Sequence, residues 1–234
     1  MNRRTRPRIV TFSGIDGAGK STQISSLHDH LTEVGAEVSI LRFWDDVAML
    51  GRVRETSSHK LFKSEPGVGT PEKPVKRRDK NVSTWYLTII RLGIYALDAM
   101  ALHAAVARVS KKNADVVIFD RYIYDELANL PLKNRVVRSC VRLLLGASPK
   151  PDIAYLLDAD PAAACARKPE YPEEFAHRNR AAYLDLSTMV DRMVVIPAVS
   201  AEEATCRVMQ AMAKVLSAEN AGAHESAQPL PSNK

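Results

Sequence analysis

The chain has 234 residues, 46% of them apolar and 26% charged, with a net charge of +6. That is enough apolar side chain for one packed domain, and it excludes a globally disordered chain. Three scattered cysteines, Cys140, Cys165 and Cys206, with no C-x-x-C spacing, exclude a disulfide framework and a cysteine zinc site.

Residues 1–7 read as a loose basic arm, with Arg3, Arg4 and Arg6 as solvated charge. The apolar run behind it, Ile9 to Phe12, is too short for a signal peptide. Residues 8–13 instead read as a first strand, and 20–34 as a first helix with Ile24, Leu27, His28 and Leu31 on one face. The segment joining them, Gly14-Ile15-Asp16-Gly17-Ala18-Gly19-Lys20-Ser21, fits G-x-x-x-x-G-K-[ST]. Strand, glycine-rich turn and helix in this order form the context of a phosphate-binding loop. Its glycines let successive backbone N–H groups converge on a phosphate, and the helix N-terminus adds positive potential. In that reading Gly14, Gly17, Ala18, Gly19, Lys20, Ser21 and Thr22 hold nucleotide phosphates, Lys20 reaches the β- and γ-phosphates, and the Ser21 hydroxyl holds Mg²⁺.

Residues 37–43 alternate towards a second strand. Segment 44–81 carries Gly51, Pro66, Gly67, Gly69, Pro71 and Pro74, and a basic cluster of Lys73, Lys76, Arg77, Arg78 and Lys80. A short helix near 46–56 followed by a long insert-like loop is expected there. Residues 82–112 read as a long helix, with Trp85, Ile89, Leu92, Tyr95, Leu102, Val106 and Val109 at near-helical spacing. Arg91, Asp98 and Arg108 interrupt it, so a soluble cytoplasmic chain without a membrane contact is expected. Residues 115–119 form a continuous apolar strand of the kind a parallel sheet buries on both faces. Helices at 121–129 and 133–145, a fourth strand at 152–157, a helix from Pro161 to Lys168, another over 174–190, a fifth strand at 194–196 and a last helix over 201–216 complete the pattern. A tail at 218–234 is expected to be disordered, leaving 1–217 as one domain.

Alternation of strands and helices predicts an α/β fold of the P-loop type, a five-stranded parallel sheet with helices on both faces and a short lid at 167–174. Ligands then bind at the carboxyl ends of the strands. This collects the 14–21 loop, Arg42 to Asp46, Asp120-Arg121 and the segment after Asp158 into one site. Asp120 at a strand end suits Mg²⁺, directly or through water, and Arg121 suits a phosphate. Arg167, Lys168, Arg178 and Arg180 flank Pro169-Glu170-Tyr171-Pro172, a basic hairpin able to close over a transferring phosphoryl group. Arg91, inside an apolar helix, needs a partner: a ligand phosphate, Asp98 or Asp120. Trp44, after the second strand, is placed to meet a ligand.

These residues resemble the thymidylate kinase family of nucleoside monophosphate kinases over residues 8–216. The resemblance rests on the phosphate loop with its Asp16, on Asp120-Arg121-Tyr122, on the strand Pro151 to Asp158, and on Arg178-Asn179-Arg180-Ala181-Ala182-Tyr183. It implies a Mg²⁺- and ATP-dependent kinase acting on a nucleotide-like acceptor, dTMP by default. Asp16 would approach the acceptor, Asp120 would serve the metal, and Arg42, Arg91 and Arg121 would face the acceptor phosphate. Because position 17 is glycine, the lid would supply the catalytic arginine from Arg167, Arg178 or Arg180. Two stretches depart from the family. Its Arg-Glu-Pro-Gly after the second strand is Arg42-Phe43-Trp44-Asp45-Asp46 here, with only a distant echo at Glu65-Pro66-Gly67. Its Tyr-Gln pair after Asp-Arg-Tyr is Asn129-Leu130, and the serine between is Asp125. Those departures leave room for a different acceptor, whether another nucleotide, a nucleoside or a polyphosphate. A non-catalytic nucleotide-binding regulator is the alternative from another class. Nucleic acid is not expected as a partner, and a homodimer is compatible with the chain.

Overall fold

The computed structural model describes residues 6–48 and 85–225, with side chains to residue 217. The basic cluster at 73–80, the Glu65-Pro66-Gly67 echo and Arg3-Arg4 lie outside the described residues.

Three strands of unbroken apolar character form the middle of the molecule. β1 (Arg8–Ser13), β3 (Val116–Asp120) and β4 (Ile153–Leu157) are buried almost throughout. They lie side by side and parallel, flanked by β2 (Val38–Arg42) and β5 (Met193–Ile196) at the two edges. The order is β2-β3-β1-β4-β5, so the parallel five-stranded sheet predicted from the alternation is the one formed. Each edge strand has one covered face and reads less apolar for that reason.

The helices cover both faces. α1 (Lys20–Glu33) and α7 (Ala201–Glu225) pack together on one face, burying Ile24, Leu27, Leu31, Val208 and Met212 against Val10, Phe12 and Tyr155. On the other face lie α2 (Trp85–Lys111), α3 (Ile123–Leu127), α4 (Arg135–Ala147) and α6 (Glu173–Ser187), packed on Ile9, Val117, Phe119 and Leu156. Each fully buried Ile, Leu or Phe contributes about 1.5–3 kcal/mol relative to exposure. The helix α5 (Pro161–Arg167) starts where expected: Asp160 caps it, accepting from the Ala163 N–H at 2.9 Å, and Pro161 occupies its first turn.

Three details differ from the sequence reading. First, β2 runs into a single wide π-helical turn, Phe43–Val47, and residues 49–56 of the helix expected at 46–56 lie outside the described residues. Second, α7 continues to Glu225, into the segment expected to be a disordered tail; Ala218, Ala221 and Ala223 are strong helix formers and carry the helix past its apolar face. Third, α2 is long and apolar enough, by length and composition, to cross a membrane. It is nevertheless a core helix along one side, with Tyr95, Ala99, Leu102, Ala105 and Val109 buried. Trp85, Ile89 and Met100 remain exposed on α2.

Candidate active site

β1 delivers the chain into the phosphate loop with no freedom to spare. Gly14 has φ +140°, and a Cβ there would stand 2.6 Å from the Leu157 carbonyl of β4. Gly17 has φ +81°, and a Cβ there would run into the Ala164 carbonyl of α5. Both glycines are required by a positive φ and by backbone on the other side. The contact also ties the loop to the helix that leads into the 167–174 segment, and it leaves no room for a side chain at position 17. Gly17→Ala is therefore expected to push α5 off the loop and to weaken ATP binding about tenfold or more, as titration calorimetry would read.

Lys20, the first residue of α1, is buried, and its ammonium donates to the Gly14 carbonyl at 2.8 Å and the Ile15 carbonyl at 2.9 Å. The lysine is thus folded along the loop it serves. Burial first and the neighbouring Arg121 second bring its pKa down from 10.5 to about 8, against the opposing pull of Asp16, Asp125 and Asp120. Nucleotide phosphates favour the charged amine, so ATP affinity should be full below pH 8 and fall by up to about tenfold per pH unit above it. Proton uptake on ATP binding at pH 9, measured by calorimetry in buffers of different ionisation enthalpy, checks this. Without ligand the stability effect has the opposite sign. Between pH 8 and 10.5 the unfolded chain holds the Lys20 proton more tightly, so the folded state gains stability as pH rises through that window.

Strand register brings the other groups alongside. Asp120, the last residue of β3, pairs with Phe12 on one side and with Arg42 on the other. The next residue, Arg121, has φ +68°, a left-handed backbone that a side chain adopts only under constraint. Its N–H is held by the Phe12 carbonyl at 3.0 Å, and its guanidinium bonds Asp16 in the phosphate loop and, at 3.3 Å, Asp125. Burial works against the charge on Arg121, but Asp125 and Asp16 outweigh it and raise its pKa, fixing the guanidinium as a cation. Asp16, Lys20, Asp120 and Arg121 therefore form one cluster, as the sequence predicts.

The lid arginines separate clearly. Arg180 on α6 makes a two-point bond to Asp158, at 2.5 and 2.8 Å, and with Asp158 and Tyr183 it borders a closed crevice against Gly14 and Ile15 of the phosphate loop. Arg178 is 60% exposed and bonds Glu174 one turn back on the same helix. Arg167 is exposed at the end of α5. Of the three, Arg180 is the one at the loop.

The expected acceptor residues are more dispersed. Arg42 ends β2 beside Asp120, but its side chain is 72% exposed and reaches Asp45 at 4.0 Å, while its N–H donates to Asp46 at 2.7 Å. Trp44 is exposed and edge-on to Phe43. Arg91 is half-buried on α2, which packs against the turn carrying Trp44. Asn129 donates to the Asp125 carbonyl at 2.7 Å, and its buried Oδ1 has no hydrogen-bond partner among the described residues.

Ser21 and Thr22 lie in the first turn of α1 and are exposed. Among the described residues no group of three or more His, Cys, Asp or Glu side chains gathers to hold a metal. A hydroxyl at Ser21 and one carboxylate at Asp120 are hard oxygen donors in small number. That fits Mg²⁺, which keeps most of its shell for water and substrate phosphates.

From sequence, Asp125 and Asp158 stand near the site without their bonds to Arg121 and Arg180, and Ser13 and Tyr183 carry no bonding role. Ser13, Asp125, Asp158 and Tyr183 hold the arginines in place. One signal was available: Asp125 lies four residues after Arg121 at the start of a helix, the spacing of an ion pair.

No family model matches the chain. It is 28% identical over 219 residues to a thymidylate kinase of Bifidobacterium longum (strain NCC 2705), covering 89% of this chain and 98% of that protein. A thymidylate kinase of Chlorobium luteolum is 29% identical over 164 residues, 68% of this chain and 66% of that one. A probable thymidylate kinase of Methanobrevibacter smithii is 26% identical over 212 residues, 87% and 93% of the two.

Proposed function

We infer that this chain, a divergent member of the thymidylate kinase family, moves the γ-phosphoryl group of ATP onto dTMP, giving dTDP and ADP. The observation that supports it best is the cluster of Lys20, Asp16, Asp120 and Arg121 at the carboxyl ends of β1 and β3, beside a loop shaped by two obligatory glycines.

Phosphoryl transfer asks a protein for position and positive charge more than for covalent chemistry. The loop amides and Lys20 bind the ATP phosphates. Arg121 stands across the loop mouth, where an acceptor phosphate would exchange with Asp16 for its guanidinium. Arg180 takes the lid role, leaving Asp158 to meet charge that develops on the transferring group. Arg42, Trp44 and Arg91 border the acceptor side. Ser21 and Asp120 would hold Mg²⁺, which when bound neutralises charge on the β- and γ-phosphates. Asp16, freed from Arg121 by the acceptor, is left as a carboxylate facing the acceptor sugar or phosphate.

The exposed apolar residues Trp85, Ile89 and Met100 on α2 support a homodimer formed on that helix. Light scattering should then give twice the chain mass.

The function is tested by ³¹P NMR of ATP, Mg²⁺ and one monophosphate at a time. Equal growth of dTDP and ADP signals with dTMP supports the reading. Turnover with another acceptor but not dTMP would assign the site to that acceptor, and the altered 42–46 and 125–130 segments would be its cause.

A further inference from the structure

One side chain beside the site accepts four hydrogen bonds, one of them from Arg121. Asp125 is buried, with 2% of its side chain exposed. Its Oδ2 accepts from the Ser13 hydroxyl at 2.7 Å and from the Tyr122 N–H at 3.0 Å. Its Oδ1 accepts from the Tyr183 hydroxyl at 2.7 Å and from Arg121 Nη1 at 3.3 Å. Those donors come from the end of β1, the turn after β3, and α6. A carboxylate with two donors on each oxygen has no freedom to turn. Arg121 shares it through one nitrogen, Nη1, and this leaves Nη2 directed at Asp16.

We propose that Asp125 is the positioning residue of Arg121, a carboxylate locked by Ser13, Tyr122 and Tyr183 that holds one edge of the guanidinium and presents the other at the mouth of the phosphate loop. The proposal rests on the function inferred above for its kinetic consequences, though not for its geometry. A hydroxyl at position 125 would offer no charge to Arg121 and fewer lone pairs to the other donors. Arg121 would then keep only Asp16, the partner it has to release when a phosphate arrives. With Asp125 in place the guanidinium stays oriented throughout that exchange. The same bonds tie the Arg121 turn to α6, three residues from Arg180, so the two arginines share a mount.

The test is Asp125→Asn, which keeps the volume and removes the charge. In a protein whose wild type turns over dTMP, kcat/KM for the acceptor should fall about 10²-fold, the scale of a misplaced orienting group. KM for ATP should stay within about threefold of wild type. In an Arg121→Ala background Asp125→Asn should cost nothing further. An equal rise in both KM values, or the same loss with and without Arg121, would overturn the proposal. If wild type does not turn over dTMP, the inferred function fails and the geometry is decided by ¹⁵N NMR. Arg121 Nη protons that are resolved in wild type and averaged in Asp125→Asn support the mount; resolved signals in both refute it. If Asp125→Asn does not fold, Tyr183→Phe removes a single donor. It should shift the acceptor KM upward and leave the ATP KM alone, and no shift in the acceptor KM counts against the proposal.

Discussion

Replacing Lys20 with alanine is expected to lower kcat by on the order of 10²–10³ or more, with the fold retained. Lys20 is the one side-chain cation inside the phosphate loop among the described residues, and its ammonium already lies along the Gly14 and Ile15 carbonyls that shape the loop. In the proposed transition state it would meet charge spread over the transferring oxygens, and because Lys20 is buried one preorganised donor there is worth far more than in solvent. The change in stability should be small. The variant loses two hydrogen bonds, about 1 kcal/mol each, and also relieves the cost of burying a charge whose pKa is depressed to about 8. A melting temperature close to wild type, with activity near background, is the expected pair of results. A kcat within tenfold of wild type would remove Lys20 from the chemistry.

Arg180→Ala should have the second large effect, a fall in kcat on the order of 10³, the lower end of what a supplied arginine contributes to phosphoryl transfer. Arg178→Ala and Arg167→Ala should change kcat less than about threefold. The distinction follows from position. Arg180 neighbours Gly14 and Ile15 and is aligned by both oxygens of Asp158, whereas Arg178 bonds Glu174 on its own helix. An exposed i,i+4 pair of that kind is worth about 0.3–0.5 kcal/mol. The competing possibility is that Arg180 only fastens α6 to the end of β4. In that case Arg180→Ala would lower the melting temperature and leave kcat unchanged. Single-turnover rates at saturating ATP and acceptor separate the two.

The fold was legible because its signals are local. Val116 to Phe119 reads as a buried parallel strand from four consecutive apolar residues, 152–157 reads as a fourth strand, and Pro161 announces a helix start. The phosphate loop was legible for the same reason, since all its residues are contiguous. Asp120 and Arg121 joined it through one topological rule, that parallel strands end on the same side. What remained hidden is long-range. Nothing about Ser13 or Tyr183 in the sequence shows that both hydroxyls meet on Asp125, because the three residues come from different elements and sequence spacing does not encode the contact. The three candidate lid arginines looked equivalent for a similar reason. Only the placement of Asp158 at the end of β4 singles out Arg180. The longer reach of α7 was missed because an alanine-rich segment without an apolar face gives no periodic signal, although it propagates a helix well.

ADP release from Mg²⁺–ATP in the presence of dTMP, compared between wild type and Lys20→Ala, decides whether the chain is a dTMP kinase that works through its phosphate loop. The expected result is dTMP-dependent release by wild type and release at background in Lys20→Ala, with both proteins folded. No dTMP-dependent release by a folded, ATP-binding wild type, or equal release by the two proteins, would contradict it.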